Sequence, residues 1–283
     1  MPAPDLPAGG AEWRYPNRAT PPGSSLYYAV RFAPRELRDA LAALAGWRHQ
    51  VRAILDEVSD SGVARLKLDW WREEIQRTLA GAPRHPLSHV LASTLASDVD
   101  GGALPAAPFL AMADDVEQVL RRRRPADAAA MRAADTRDLG ALFELLARAH
   151  GERDESVIAA ARRSGGWCGG VRRLRDAGLL LRHDRTVLPT DAITAAGLGH
   201  EALASPEHRH QLPALLAPQA AMLAREAPTT AASALPRALR IQQRIHAALL
   251  QELRRSELAV VDQRIGLTPL RKFWIALRAN ERA

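Results

Sequence analysis

Two charged pairs in this chain have a spacing that permits joint action. Arg52 and Asp56 are four residues apart, and so are Arg172 and Asp176. On a helix, residues i and i+4 share a face, so each guanidinium reaches its carboxylate. Such a pair neutralises itself. The other use of the same guanidinium is to grip a phosphate through two parallel hydrogen bonds, since arginine stays charged. Other groups give weaker signals. His208 and His210 are two apart and cannot face one ligand from a helix. Asp114 and Asp115 read as a solvated helix face. Cys168 has no histidine beside it and reads as buried and inert. No Ser-His-Asp order, P-loop or dinucleotide glycine pattern is present. Gly165, Gly166, Gly169 and Gly170 flank Trp167 and Cys168, and close helix packing is their expected role.

The elements that must position these groups are helical. Leu37, Leu41, Leu44, Val51 and Leu55 recur as one face of a helix, with Pro34 at its first turn. A second helix is expected over 62–79, entered at Asp60 or Ser61 and stopped by Gly81, with Leu66, Trp70, Ile75 and Leu79 inward. Pro86 opens a third, through about residue 96, and a loop is expected over 98–108. Further helices are expected over 109–123, 126–150, 155–181, 206–225, 232–257 and 269–280. Alternating β patterns are nearly absent, so the fold class is all-α, a single domain over 25–283. Residues 1–24, rich in Pro, Gly and Ala, read as a flexible N-terminal arm.

Composition narrows the function. The chain has 283 residues, 39 basic and 32 acidic, for a net charge of +7. Lys67 and Lys272 are its only lysines. The arginines are mostly dispersed among acids, and no aromatic residue interleaves with the run Arg121 to Arg124, so nucleic acid is not an expected partner. A single cysteine excludes a disulfide framework. No stretch reaches the length of a membrane span, and the first twenty residues lack the apolar core of a signal peptide. A cytoplasmic location is expected, with peripheral contact to the inner membrane as one extension of it. The basic amphipathic stretch 267–277 suits such contact, although its default reading is a docking helix.

Three passages carry a resemblance. The first is Ser25-Leu26-Tyr27-Tyr28-Ala29, with Pro34 and Arg38 following. The second is Trp70-Trp71-Arg72-Glu73-Glu74, then His85-Pro86. The third is Arg175-Asp176, then Arg185-Thr186-Val187-Leu188-Pro189 and Ala196-Gly197-Leu198. In this order the chain resembles the squalene/phytoene synthase family of head-to-head prenyl transferases. The resemblance implies an isoprenoid-synthase-like helical bundle around a central cavity. It also implies two helices that each carry an aspartate pair four apart, together holding Mg²⁺ against a departing diphosphate.

Both pairs are broken here. The first falls on Arg52 and Asp56, the second on Asp176 and Leu180, and a family asparagine falls on Arg172. Asp56 and Asp176 are thus the remnants of the catalytic carboxylates. Arg52, Arg172, Arg173, Arg175 and Arg182 would line the mouth of the former site, and Ser25 and Arg38 would lie near the diphosphate. The resemblance therefore points to a degenerate site with no metal expected, binding an isoprenoid diphosphate or anionic lipid through arginine. One alternative is an active Mg²⁺-dependent synthase using Asp56, Glu57 and Asp176 in a shifted register. Another comes from Pro269-Leu270-Arg271-Lys272-Phe273-Trp274-Ile275-Ala276-Leu277-Arg278, which resembles a divergent branch containing a complex I assembly factor. That likeness implies a non-catalytic role with respiratory-complex subunits as partners.

Overall fold

The computed structural model describes residues 10–95, 104–228 and 234–279. Among them there is no strand. Helix α1 (Ser25–Arg31) leads through a 3-10 turn (Arg35–Leu37) into α2 (Arg38–Glu57). Next come α3 (Ser61–Leu79), α4 (Pro86–Leu95) and α5 (Ala106–Leu120). α6 (Ala128–Asp135) passes through a π-helical stretch (Thr136–Gly140) into α7 (Ala141–Ala149). α8 (Glu155–Arg175) is followed by the short α9 (Ala177–Arg182), α10 (Thr190–Ala195) and α11 (His200–Ala204). α12 (Leu212–Arg225), α13 (Arg237–Arg255) and α14 (Pro269–Arg278) follow.

The expected all-α bundle is what forms. α2 runs through its middle, burying Leu41, Leu44, Trp47, Val51 and Ile54 against α4, α5 and α7. Trp47 meets Trp71 and Phe109 edge-on, at centroid separations of 5.0 and 5.5 Å, a geometry the ring quadrupoles favour. α8 lies against α6, α7, α12, α13 and the π-helical stretch. Its glycines make that approach possible. A Cβ on Gly165 would sit 2.5 Å from the Leu139 carbonyl oxygen and 2.8 Å from the Gly140 Cα.

The Trp-Trp-Arg-Glu-Glu block is scaffolding. Asp60 caps α3 by accepting from the N–H groups of Gly62 and Val63, both at 2.8 Å. Glu74 is fully buried, and its Oε1 accepts the backbone N–H groups of Arg84 and His85 at 2.8 Å each. Burial alone would raise its pKa. The bonds from His85 and Arg84 hold it below the ordinary value, so the carboxylate stays charged and pins the turn into α4. Arg72 bridges α3 to α5 through Asp114 at 2.7 Å and Glu117.

Several expectations need correction. The inward face of α3 is Ala64, Leu68, Trp71 and Ile75, while Leu66 and Trp70 face outward. The larger side chains suggested one phase, and small Ala64 takes the inside of the other. The expected arm is packed from Gly10 onward. Trp13 is buried, and the buried Asn17 amide donates to Trp13 O at 2.8 Å and Ala42 O at 2.9 Å. Side-chain hydrogen bonds fix a segment that shows no periodicity. Residues 1–9 of the arm, most of the 98–108 loop and the ends of the third and last expected helices lie outside the described residues. The helix expected over 155–181 breaks at Asp176, and the one over 206–225 begins at Leu212.

Gly165→Ala forces a methyl group into backbone atoms that cannot yield. The expected result is a loss of about 1–3 kcal/mol in urea unfolding. An unchanged midpoint would show that α8 and α7 are not closely packed there.

Candidate functional site

A cavity of about 760 Å³ opens between residues 18–26, α2, α7, α8, α13 and residues 264–272. Arg18, Arg48, Arg172, Arg175, Arg264 and Lys272 line it. No aspartate or glutamate is among its lining residues. Leu26, Leu139, Leu142, Phe143, Ile245 and Leu249 form an apolar wall beside these cations.

α8 delivers two of the cations. It starts at a capping Asp154, which accepts from Ser156 N–H at 2.8 Å. It ends with Arg172, Arg173 and Arg175 in its last turn, where cations suit the negative end of the helix dipole. Arg173 turns away and pairs with Asp135 of α6. Arg175 donates from Nε to Asp176 at 2.8 Å, and Arg264 donates to the same carboxylate oxygen at 3.0 Å. Arg172 has no carboxylate at ion-pair distance among the described residues. Burial, together with Arg48 and Arg175, pushes its pKa down to about 9. It lines the cavity, with Asp176 and Asp138 as the acids that act on its charge from a distance.

Beneath the wall lies a layer of buried charge. Arg48 and Arg52 stand one turn apart on α2. Asp138, carried by the π-helical stretch, accepts from Arg48 Nε at 2.7 Å and pairs with Arg52 at 3.2 Å. Arg52 also donates to Asp115 of α5 at 3.2 Å. Burial opposes the charge on Asp138, but Arg48 and Arg52 override it and hold the pKa at about 2. Asp115 goes the other way. Burial, reinforced by the charge on Asp138, lifts its pKa to about 6 against the pull of Arg52 and Arg137.

α13 adds two polar groups. His246 is buried, and its Nδ1–H donates to the Gln242 carbonyl at 2.7 Å. Burial pushes its pKa down to about 3, so the ring is neutral at pH 7. The buried Gln242 side-chain nitrogen has no partner among the described residues. Both residues line the cavity.

The residues singled out by sequence divide into two sets. Ser25, Arg172 and Arg175 line the cavity. Arg38 does not; its Nε donates to the Ala33 carbonyl at 3.2 Å. Arg52 is not a lining residue either, because Asp115 and Asp138 draw it inward. The expected Arg52–Asp56 and Arg172–Asp176 pairs do not form. Asp56 pairs with Arg185, which also donates to Leu55 O at 3.0 Å. Asp176 is held by Arg175 and Arg264. Arg182 reaches the Val261 carbonyl instead of the cavity. Asp115 is buried, contrary to the solvated face expected of it. It stands three residues after the buried Met112, and that spacing could have revealed it. Arg48, four before Arg52, was legible in the same way. No periodicity marks Asp138, whose partners lie some ninety residues away.

Mg²⁺ does not fit this residue set. Asp56 and Asp176 are engaged by arginines in separate ion pairs, and the cavity lining offers cations where a magnesium ion needs oxygen ligands. Among the described residues, no three His, Cys, Asp or Glu side chains gather as a metal site.

Helices around a cavity lined by apolar side chains and cations make up the isoprenoid-synthase type of fold. The family model for squalene/phytoene synthase matches residues 19–272, and the chain belongs to that family. Among solved structures, it is similar to a dehydrosqualene synthase in complex with ligand, at 18% identity and a TM-score of 0.72, covering 91% of this chain and 90% of that one. It is also similar to the squalene synthase HpnC from Alicyclobacillus acidocaldarius, at 19% identity and a TM-score of 0.64, covering 85% and 92%. No curated protein matches.

Two outcomes follow from the buried layer. Asp138→Asn leaves Arg48 and Arg52 without their shared counter-charge, and the expected loss is about 3–5 kcal/mol in urea unfolding. Asp115 gives a pH signature. Its folded pKa of about 6 exceeds the ordinary 3.8, so between these values the folded state binds more protons than the unfolded state. Raising the pH through that window therefore removes stability. The stability of wild type relative to Asp115→Asn should fall across the window and level off above it. A level or rising difference contradicts the assignment.

Proposed function

We propose that this chain binds an amphiphile with a phosphate or diphosphate headgroup in its cavity, without magnesium, and does not perform prenyl transfer. The observation that carries this reading is the lining itself: six cations, an apolar wall and no carboxylate. A headgroup at the Arg172 end would meet guanidinium groups able to bond it bidentately. It would also supply the counter-charge that Arg172 lacks. The apolar wall suits a hydrocarbon tail, and the volume falls within the range of small-molecule sites. Asp56 pairs with Arg185 away from the lining, and Asp176 braces Arg175 and Arg264 from behind it without being a lining residue itself.

Calorimetric titration tests it, with farnesyl diphosphate in one arm and a short-chain phosphatidylglycerol in the other. Affinity should be the same in EDTA and in Mg²⁺, and the tighter arm identifies the headgroup source. Arg172→Met should weaken the preferred ligand by about 10- to 100-fold, the value of one hydrogen bond to a charged group. Hydrocarbon product from farnesyl or geranylgeranyl diphosphate with Mg²⁺ would overturn the non-catalytic reading in favour of an active synthase. Absence of binding in both arms, with respiratory-complex subunits co-purifying, would favour the assembly-factor reading instead.

A further inference from the structure

The cavity mouth has an unusual lip. Its exposed lining residues include Arg18, Pro21, Pro22, Arg264 and Thr268. Gly23 lies against Pro269, close enough that a Cβ on the glycine would stand 3.2 Å from the proline ring. Lys272 donates to the Gly23 carbonyl at 3.0 Å and ties the two segments together. Immediately beside this seam, α14 exposes Leu270 at 66% and Trp274 at 50%. These two are four apart, and Arg278 continues the same exposed stripe. Phe273 faces inward, in ring contact with Tyr28 and Phe32. Exposed apolar residues therefore flank the seam, Pro21 and Pro22 on one side and Pro269, Leu270 and Trp274 on the other.

The segment that carries this face is basic, and Arg278 is its exposed cation with no carboxylate at ion-pair distance among the described residues. Residues 263–279 contain Arg264, Arg271, Lys272 and Arg278 and no acid. Arg271 is paired with Glu252 and Arg264 with Asp176, while Arg278 is exposed and its carbonyl accepts from Arg244. A second exposed apolar stripe, Val63, Leu66 and Trp70 on α3, differs in this respect. It has Asp69 and Glu73 beside it and lies on a helix that does not line the cavity.

We infer that the α14 face docks on an anionic lipid bilayer, with Leu270 and Trp274 in the headgroup boundary and the cavity mouth open toward the membrane. The chemistry matches on both counts: apolar and aromatic side chains with basic neighbours partition into such interfaces. No helix among the described residues is long and apolar enough to cross a membrane, so the contact is with the surface. The inference rests on the amphiphile reading of the cavity. It gives that ligand a route from the bilayer that never exposes its tail to water.

The test is co-flotation of the full chain with phosphatidylcholine vesicles, with and without phosphatidylglycerol. Wild type should float with the anionic vesicles, and added salt should weaken this. Leu270→Ser/Trp274→Ser should reduce partitioning by about tenfold or more, while Val63→Ser/Leu66→Ser should leave it unchanged. Farnesyl diphosphate titration in vesicle-free buffer is the second measurement, and the α14 variant should keep its affinity. Wild type that ignores anionic vesicles yet binds the diphosphate overturns the docking inference and spares the cavity reading. Docking without binding of either farnesyl diphosphate or short-chain phosphatidylglycerol does the reverse. Loss of both in the α14 variant marks a folding role for the face. A wild-type dimer that the α14 substitutions dissociate marks a second copy as its occupant. Either of these last results overturns the inference.

Discussion

One carboxylate sets the electrostatics of this protein. Asp138 holds Arg48 and Arg52 together one turn apart on the central helix. Two guanidinium groups so placed repel each other, and at about 4 Å the repulsion is roughly 4 kcal/mol at an effective dielectric of 20. Asp138 reverses that sign, and Asp115 adds a second contact on the far side. With Arg52 drawn inward, Arg48 remains at the wall beside Arg172 and Arg175. The cavity's positive end thus depends on a buried negative layer behind it. The layer holds Arg48 at the wall and Arg52 behind it, while Arg172 has no carboxylate at ion-pair distance among the described residues.

Much of what marks family membership in this chain is structural. The Trp-Trp-Arg-Glu-Glu block does structural work, through the buried Trp71, the Glu74 bonds into the α3–α4 turn and the Arg72 bridge to α5. Such residues hold the bundle whatever the cavity contains. Carboxylates at a metal site have no such second duty. The fold stands with Arg52 and Leu180 at the positions where the resemblance implies carboxylates. The overall net charge of +7 says little about this. The handful of cations that share one enclosed volume says much more.

The helices, their order and most of their starts were readable because apolar spacing and capping residues are local signals. Asp60 before α3 and Thr268 before α14 are such signals, each accepting the N–H bonds that a cap should accept. The phase of α3 was misread because periodicity does not rank a small inward alanine against a large outward leucine. The packed segment 10–24 was missed because its order comes from Asn17 and Thr20, not from repetition. At the site, local pairing was the natural expectation, and both expected i,i+4 pairs failed. Arg52 and Asp56 each found a partner on a distant helix or loop. Choice among partners brought together by folding is a tertiary matter, and sequence spacing carries no record of it.

Arg172, with no carboxylate at ion-pair distance among the described residues, has a consequence for the folded state itself. Arg48 and Arg175 oppose its charge, and its neutral neighbours Gln242 and His246 relieve none of that repulsion. Any anion that enters is first a counter-ion. An anion beside Arg172 would be held more strongly than its own contacts imply, because it would also offset the repulsion that Arg48 and Arg175 exert on Arg172. On the proposed reading, occupancy and folding would thereby be linked, an occupant stabilising the folded chain by offsetting that repulsion.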